Sequence, residues 1–121
     1  MALGLHSLLV VDDDDRVLSM IGDYARDRGY TAWEARNGLE ALWIVKHHRP
    51  EIVLLDLRLP RLDGFETVRH ICKFAPAIRI IIVTGDVSDE TRHRVESLGL
   101  ELLLKPFTLD ALEAMLGSRP T

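Results

Sequence analysis

Cysteine is nearly absent. Cys72 stands alone among 121 residues, which excludes an internal disulfide and any zinc site built on thiolates. Within Val68-Arg69-His70-Ile71-Cys72 it reads as a small buried apolar residue rather than a reactive thiol. Long apolar runs are missing too: no stretch approaches the ~20 residues needed to cross a bilayer. Met1 to Ser7 is too short and too weakly basic for a signal peptide, so a cytoplasmic chain with no membrane contact is expected. Lys and Arg total 15 against 19 Asp and Glu, a net charge of −4. The basic residues are scattered rather than gathered into a stripe, which argues against direct nucleic-acid binding. No glycine fingerprint of a P-loop or dinucleotide fold is found, nor any internal repeat, low-complexity tract or linker.

What remains is a chain of one-domain length, 47% apolar and 28% charged, with a core expected over about residues 7–117. Apolar runs at Leu8–Asp12, Tyr30–Ala35, Glu51–Asp56, Ile78–Thr84 and Leu100–Lys105 predict five strands. Between and after them lie five stretches of helical spacing. Val17, Ile21, Tyr24 and Ala25 lead to a stop at Gly29. Leu39, Leu42, Trp43 and Val45 follow an Asn37-Gly38 turn and end at Pro50. The third helix spans about Phe65 to Phe74, the fourth Ser88 to Leu98, and Leu109, Leu112, Met115 and Leu116 mark the fifth. Strict alternation of this kind implies a parallel sheet with helices on both faces.

The ends of the strands carry the chemistry. Val10-Val11 runs into Asp12-Asp13-Asp14-Asp15, Leu54-Leu55 into Asp56, Ile82-Val83 into Thr84, and Leu103-Leu104 into Lys105. Parallel strands bring all these groups to one edge, where open α/β folds bind ligands. Converging carboxylates are costly: at ~4 Å and an effective dielectric near 20, each like-charge pair opposes ionisation by about 4 kcal/mol. A hard divalent cation relieves this, and an oxygen-rich set without histidine favours Mg²⁺ or Mn²⁺. Asp56 is the candidate nucleophile toward phosphorus, Asp12 and Asp13 the candidate cation holders, and Asp14 and Asp15 decoration of a helix N-terminus. His47 and His48, as neighbours on a helix, do not share a metal. Trp33 and Trp43 read as packing residues, Asp63-Gly64 as a turn and helix start, and residues 117–121 as a frayed tail.

Four segments together resemble the response-regulator receiver domains of two-component signalling, of the chemotaxis-regulator kind. They are Leu9-Val10-Val11-Asp12-Asp13-Asp14, Leu54-Leu55-Asp56-Leu57-Arg58-Leu59-Pro60-Arg61-Leu62-Asp63-Gly64, Val83-Thr84-Gly85 and Leu104-Lys105-Pro106-Phe107. The resemblance covers essentially the whole chain and implies a single-domain, flavodoxin-like (βα)5 fold with strand order 2-1-3-4-5. It implies phosphotransfer from the phosphohistidine of a sensor histidine kinase or phosphotransfer protein to Asp56, with no turnover of external substrates. Mg²⁺ would be held by Asp13, Asp56 and the backbone carbonyl of Arg58, with Asp12 acting largely through water. Thr84, Lys105 and the Gly85 backbone would contact the phosphoryl group, and Lys105-Pro106 would be cis.

Implied partners are a downstream protein target or output domain. A second copy could also dock through the surface made by the fourth helix, the fifth strand and the fifth helix, where Arg92, His93, Arg94 and Glu96 form a candidate contact patch. Many receivers carry an aromatic residue three before the lysine; here it is Leu102, so the aromatic half of the usual switch is missing. Movement of Thr84 and the Gly85-Asp86 loop is still expected. Arg58 and Asp86, opposite in charge, are expected to pair across the mouth of the site. Two other readings remain: a Mg²⁺-dependent phosphohydrolase of similar topology, and a pseudo-receiver that binds partners without phosphorylation. The hydrolases place a second Asp two residues after the nucleophile, where this chain has Arg58.

Overall fold

Each apolar run becomes a strand and each periodic stretch a helix. In the computed structural model, residues 6–117 are described. The strands are β1 (Ser7–Val11), β2 (Thr31–Ala35), β3 (Ile52–Asp56), β4 (Arg79–Thr84) and β5 (Glu101–Leu104). They alternate with α1 (Asp15–Asp27), α2 (Gly38–His48), α3 (Gly64–Phe74), α4 (Asp89–Ser97) and α5 (Leu109–Gly117). All neighbouring strands pair in parallel, in the order β2-β1-β3-β4-β5. The readings of residues 1–7 as lacking an export signal and of 117–121 as a frayed tail lie mostly outside the described residues; Gly117 itself is corrected, since it closes α5.

Alternation along the strands splits the interior in two. Leu8, Val10, Ile52, Leu54, Ile81, Val83 and Leu103 pack against α1 and α5 through Leu18, Ile21, Tyr24, Leu112 and Leu116. Leu9, Val11, Val53, Leu55, Ile80 and Ile82 pack against α2, α3 and α4 through Ala41, Val45, Val68, Ile71 and Val95. The central strands therefore read as unbroken apolar runs, because both faces are covered. No helix among the described residues is long and apolar enough to cross a membrane.

All five helices start on a side chain that accepts a backbone N–H, α5 through Thr108, whose Oγ1 takes the N–H of Ala111 at 3.0 Å. Asp14 takes the N–H of Arg16, Asn37 that of Glu40, Asp63 that of Glu66 and Ser88 that of Thr91. Each such cap stabilises its helix by about 1 kcal/mol. Asn37 thus begins α2 directly, rather than forming the separate turn the Asn-Gly pair suggested.

Two packing expectations are corrected. Cys72 is exposed. Ile71 points inward with no exposed surface, and the next helical residue is turned by about 100° out of the core. Trp43 is also exposed, at 56% of its surface. Its indole lies on the imidazole of His47 one turn on, with ring centroids 4.1 Å apart, and Trp33 stacks on His48 at 5.0 Å.

Gly64 fixes how closely the loop after β3 returns. Its N–H donates to Leu57 O at 3.1 Å, and a Cβ here would lie 2.6 Å from Leu57 Cα and 3.0 Å from Asp56 O. Backbone cannot yield as a flexible side chain does. Gly64→Ala is expected to destabilise the fold by about 1–3 kcal/mol, read as a lower urea midpoint at unchanged slope. A midpoint equal to wild type would show that the loop can open without cost.

Candidate phosphoryl-acceptor site

Strand register sets the geometry before any side chain is considered. Val11 lies opposite Leu55, Asp56 opposite Val83 and Thr84 opposite Leu104, so four strands end within about a residue of one another. Two backbone bonds extend the edge past the strand ends: Asp12 N–H to Ala35 O at 3.0 Å, and Lys105 N–H to Thr84 O at 2.8 Å. Continuing the alternation, Asp12, Asp56 and Lys105 fall on the α1/α5 side of the sheet and Thr84 on the α4 side.

Asp12 and Asp56 are buried, with 1% and 7% of their surface exposed, whereas Asp13 is exposed. One carboxylate oxygen from each can be drawn from a group lying entirely within 4.8 Å. Lys105 joins the buried pair: its Nζ donates to Asp12 Oδ2 at 2.8 Å and to Asp56 Oδ2 at 3.3 Å. Backbone donors take the other oxygens, Asp14 N–H reaching Asp12 Oδ1 at 2.9 Å and Arg58 N–H reaching Asp56 Oδ1 at 3.1 Å. The lysine compensates one charge only, so the set remains net anionic and composed of hard oxygen donors. That composition fits Mg²⁺.

Burial pushes the Asp56 carboxyl above its ordinary value, and the Asp12 charge adds to this, outweighing the Arg58 N–H and the Lys105 ammonium. Lys105 moves the other way from what burial alone would do. Desolvation opposes its charge, but the hydrogen bond to Asp12 and the two carboxylate charges hold the ammonium above its usual value.

Asp56, Arg58, Thr84, Gly85, Asp86 and Lys105 line one recess of about 290 Å³. Thr84 is buried, at 2% exposure, and its Oγ1 accepts the Asp86 N–H at 3.1 Å. The Lys105–Pro106 peptide is cis. Leu102 lies outside the recess, half-buried against the core beneath α4. The Arg58–Asp86 ion pair expected from the sequence does not form. Asp86 instead accepts Thr91 Oγ1–H on Oδ2 at 2.6 Å and Ser88 N–H on Oδ1 at 2.9 Å. These bonds hold its carboxyl down at about 2, with the Arg58 charge a minor contributor. Thr91, at 8% exposure, is the residue near the site that sequence reasoning missed; its place three residues after the capping Ser88 was the available signal. A larger groove of about 450 Å³ between α3 and α4, lined by Phe65, Arg69, Cys72 and Arg94 among others, shares no lining residue with this recess.

The model of the response regulator receiver domain matches residues 8–117. The chain belongs to that family. It is 34% identical over 108 residues to the sporulation initiation phosphotransferase F of Bacillus subtilis (strain 168), covering 88% of this chain and 87% of that protein. It is 36% identical to the transcriptional regulatory protein ZraR of Klebsiella oxytoca, covering 91% of this chain and 25% of that one. The receiver superposes on the chemotaxis protein CheY4 of Vibrio cholerae with a TM-score of 0.87 at 26% identity, covering 94% and 98% of the two chains. A receiver domain protein of Methanospirillum hungatei JF-1 gives 0.86 at 28% identity, covering 94% and 93%. The receiver thus spans nearly all of some relatives and a quarter of others.

The raised Asp56 carboxyl has a stability consequence. The folded state holds this proton more tightly than the unfolded chain does, so its contribution is full below pH 3.8 and is lost as pH rises through the folded value. In EDTA, Asp56→Asn should unfold at a higher temperature than wild type at neutral pH, with the gap narrowing in acid. A variant that melts lower at neutral pH would show that the Lys105 bond outweighs burial.

Proposed function

We propose that this receiver takes a phosphoryl group onto Asp56 from the phosphohistidine of a sensor kinase or phosphotransfer protein. A carboxylate oxygen of Asp56 forms a bond to phosphorus as the P–N bond breaks, and the imidazole leaves with the electron pair. Asp13, Asp56 and the Arg58 carbonyl, with Asp12 through water, would hold the Mg²⁺. Bound there, the ion supplies positive charge against the phosphoryl oxygens. The Lys105 ammonium, the Thr84 hydroxyl and the Gly85 N–H receive the remaining oxygen charge.

The observation carrying this reading is a single one: a buried carboxylate, bonded to a lysine and grouped with two more carboxylates, opens onto a recess that also holds a threonine hydroxyl. Signalling then proceeds through altered contacts with a target protein, an output domain or a second copy. Val87, Leu98, Leu104 and Leu109, on or beside α4, β5 and α5, are exposed and support that surface as the meeting place. The reading places the chain in the cytoplasm, where such donors act.

Asp86 argues against the phosphohydrolase alternative. It is the carboxylate besides Asp56 that lines the recess, yet both its oxygens are already engaged, by Ser88 N–H and the Thr91 hydroxyl, rather than directed at a leaving group.

Incubation with acetyl phosphate and Mg²⁺, followed by intact mass, should add one phosphoryl group to wild type. Asp56→Asn, or wild type in EDTA, should gain none. Lys105→Ala should slow the reaction at least ~10²-fold, the usual loss on removing one charge-stabilising donor. Steady phosphate release from assorted monoesters would turn the reading toward a hydrolase.

A further inference from the structure

The side chain of Thr91 does not reach the recess, yet it is bonded to a residue that does. From Thr91 Oγ1 the hydrogen bond runs to Asp86 Oδ2 at 2.6 Å, and from the Asp86 N–H to Thr84 Oγ1 at 3.1 Å. Ser88 N–H closes the other side of Asp86 at 2.9 Å, while the Ser88 hydroxyl accepts the Thr91 N–H at 3.3 Å as the cap of α4. Asp86 is thereby held at three atoms.

A threonine hydroxyl has one proton and two lone pairs. When the Asp86 N–H occupies a lone pair of Thr84 Oγ1, the proton of that hydroxyl is directed away from this bond, free to be donated. Donation is what an incoming phosphoryl oxygen requires. Without the tether, the carboxylate of Asp86 would be at liberty to turn toward the charge of Arg58, which lines the same recess, and the loop that presents its N–H would lose the side-chain bonds that tie it to Ser88 and Thr91.

We infer that Thr91 and Asp86 are positioning residues for phosphoryl transfer, fixing the Thr84 hydroxyl as a donor into the recess through the first turn of α4. This rests on the phosphoryl-acceptor reading of Asp56 and deepens it.

Thr91→Val keeps the shape and removes the hydroxyl; Thr91→Ser keeps the hydroxyl. Phosphorylation rates with acetyl phosphate, Mg²⁺ affinity by calorimetry and amide exchange at Asp86 by NMR are measured on both variants and wild type. The expected result for Thr91→Val is a rate lower by about three- to tenfold, the range for one lost hydrogen bond. Its Mg²⁺ affinity should be unchanged and its Asp86 amide should exchange faster, with Thr91→Ser restoring both rate and protection. A merely structural role would not spare Mg²⁺ affinity while lowering rate, and would not be rescued by the smaller serine. A Thr91→Val rate equal to wild type, or a serine variant as slow as valine, overturns the inference and leaves the role of Asp56 standing. A wild-type chain that takes up no phosphoryl group overturns both.

Discussion

One ammonium, Lys105 Nζ, stands between two buried carboxylates at the edge of a parallel sheet. Asp12 and Asp56 come from strands joined side by side in the sheet, β1 and β3, while the lysine follows β5, two strands farther from β3. Their meeting depends on every intervening register being right, since a slip of one residue reverses the faces of a strand. The tie is electrostatic and incomplete: one positive charge faces two carboxylates that are themselves almost wholly buried. Breaking such a pair leaves a buried charge uncompensated, which is more damaging than the pair itself is stabilising. The carboxylate raised by this arrangement is Asp56, where burial first and the neighbouring charge of Asp12 second disfavour the ionised form.

The opposite edge of the sheet is secured differently. Arg79 at the start of β4 donates from Nε and Nη2 to Glu101 of β5 at 2.6 and 2.7 Å, and from Nη2 to Met115 O of α5 at 2.7 Å. This fork-shaped contact is of the stronger kind, charge-assisted and two-pronged. β5 is only four residues long and lies at the edge. Bound at one end by Glu101 and followed at the other by Lys105, it has its register fixed by charge where hydrogen bonds are few.

Much of this was legible in the sequence because four apolar runs each end on a polar group, two on a carboxylate, one on a hydroxyl and one on an ammonium, and parallel strands align such ends. The alternating pattern gave strand and helix positions to within a residue or two, for the physical reason that both sheet faces are covered. What failed was local. Cys72 was assigned inward by the company of Val68 and Ile71, but a helix presents only part of its circumference to the core. Arg58 and Asp86 were matched by sign; a short carboxylate with partners two and five residues away satisfies itself before a long guanidinium can reach it. Thr91 was passed over because nothing in its type separates a capping-turn threonine from one that holds a pocket residue. Trp43 was taken for packing, but more than half of it faces solvent and the partner it has is the next turn of its own helix.

That last pairing has a practical bearing. Both indoles lie along β2 and α2, each laid against an imidazole, and neither borders the acidic recess. Light emitted by this chain therefore originates at the flank of the sheet farthest from β5. Emission there reports on how α2 lies against β2, since Trp33 of the strand stacks on His48 of the helix, and on nothing that touches the aspartates directly.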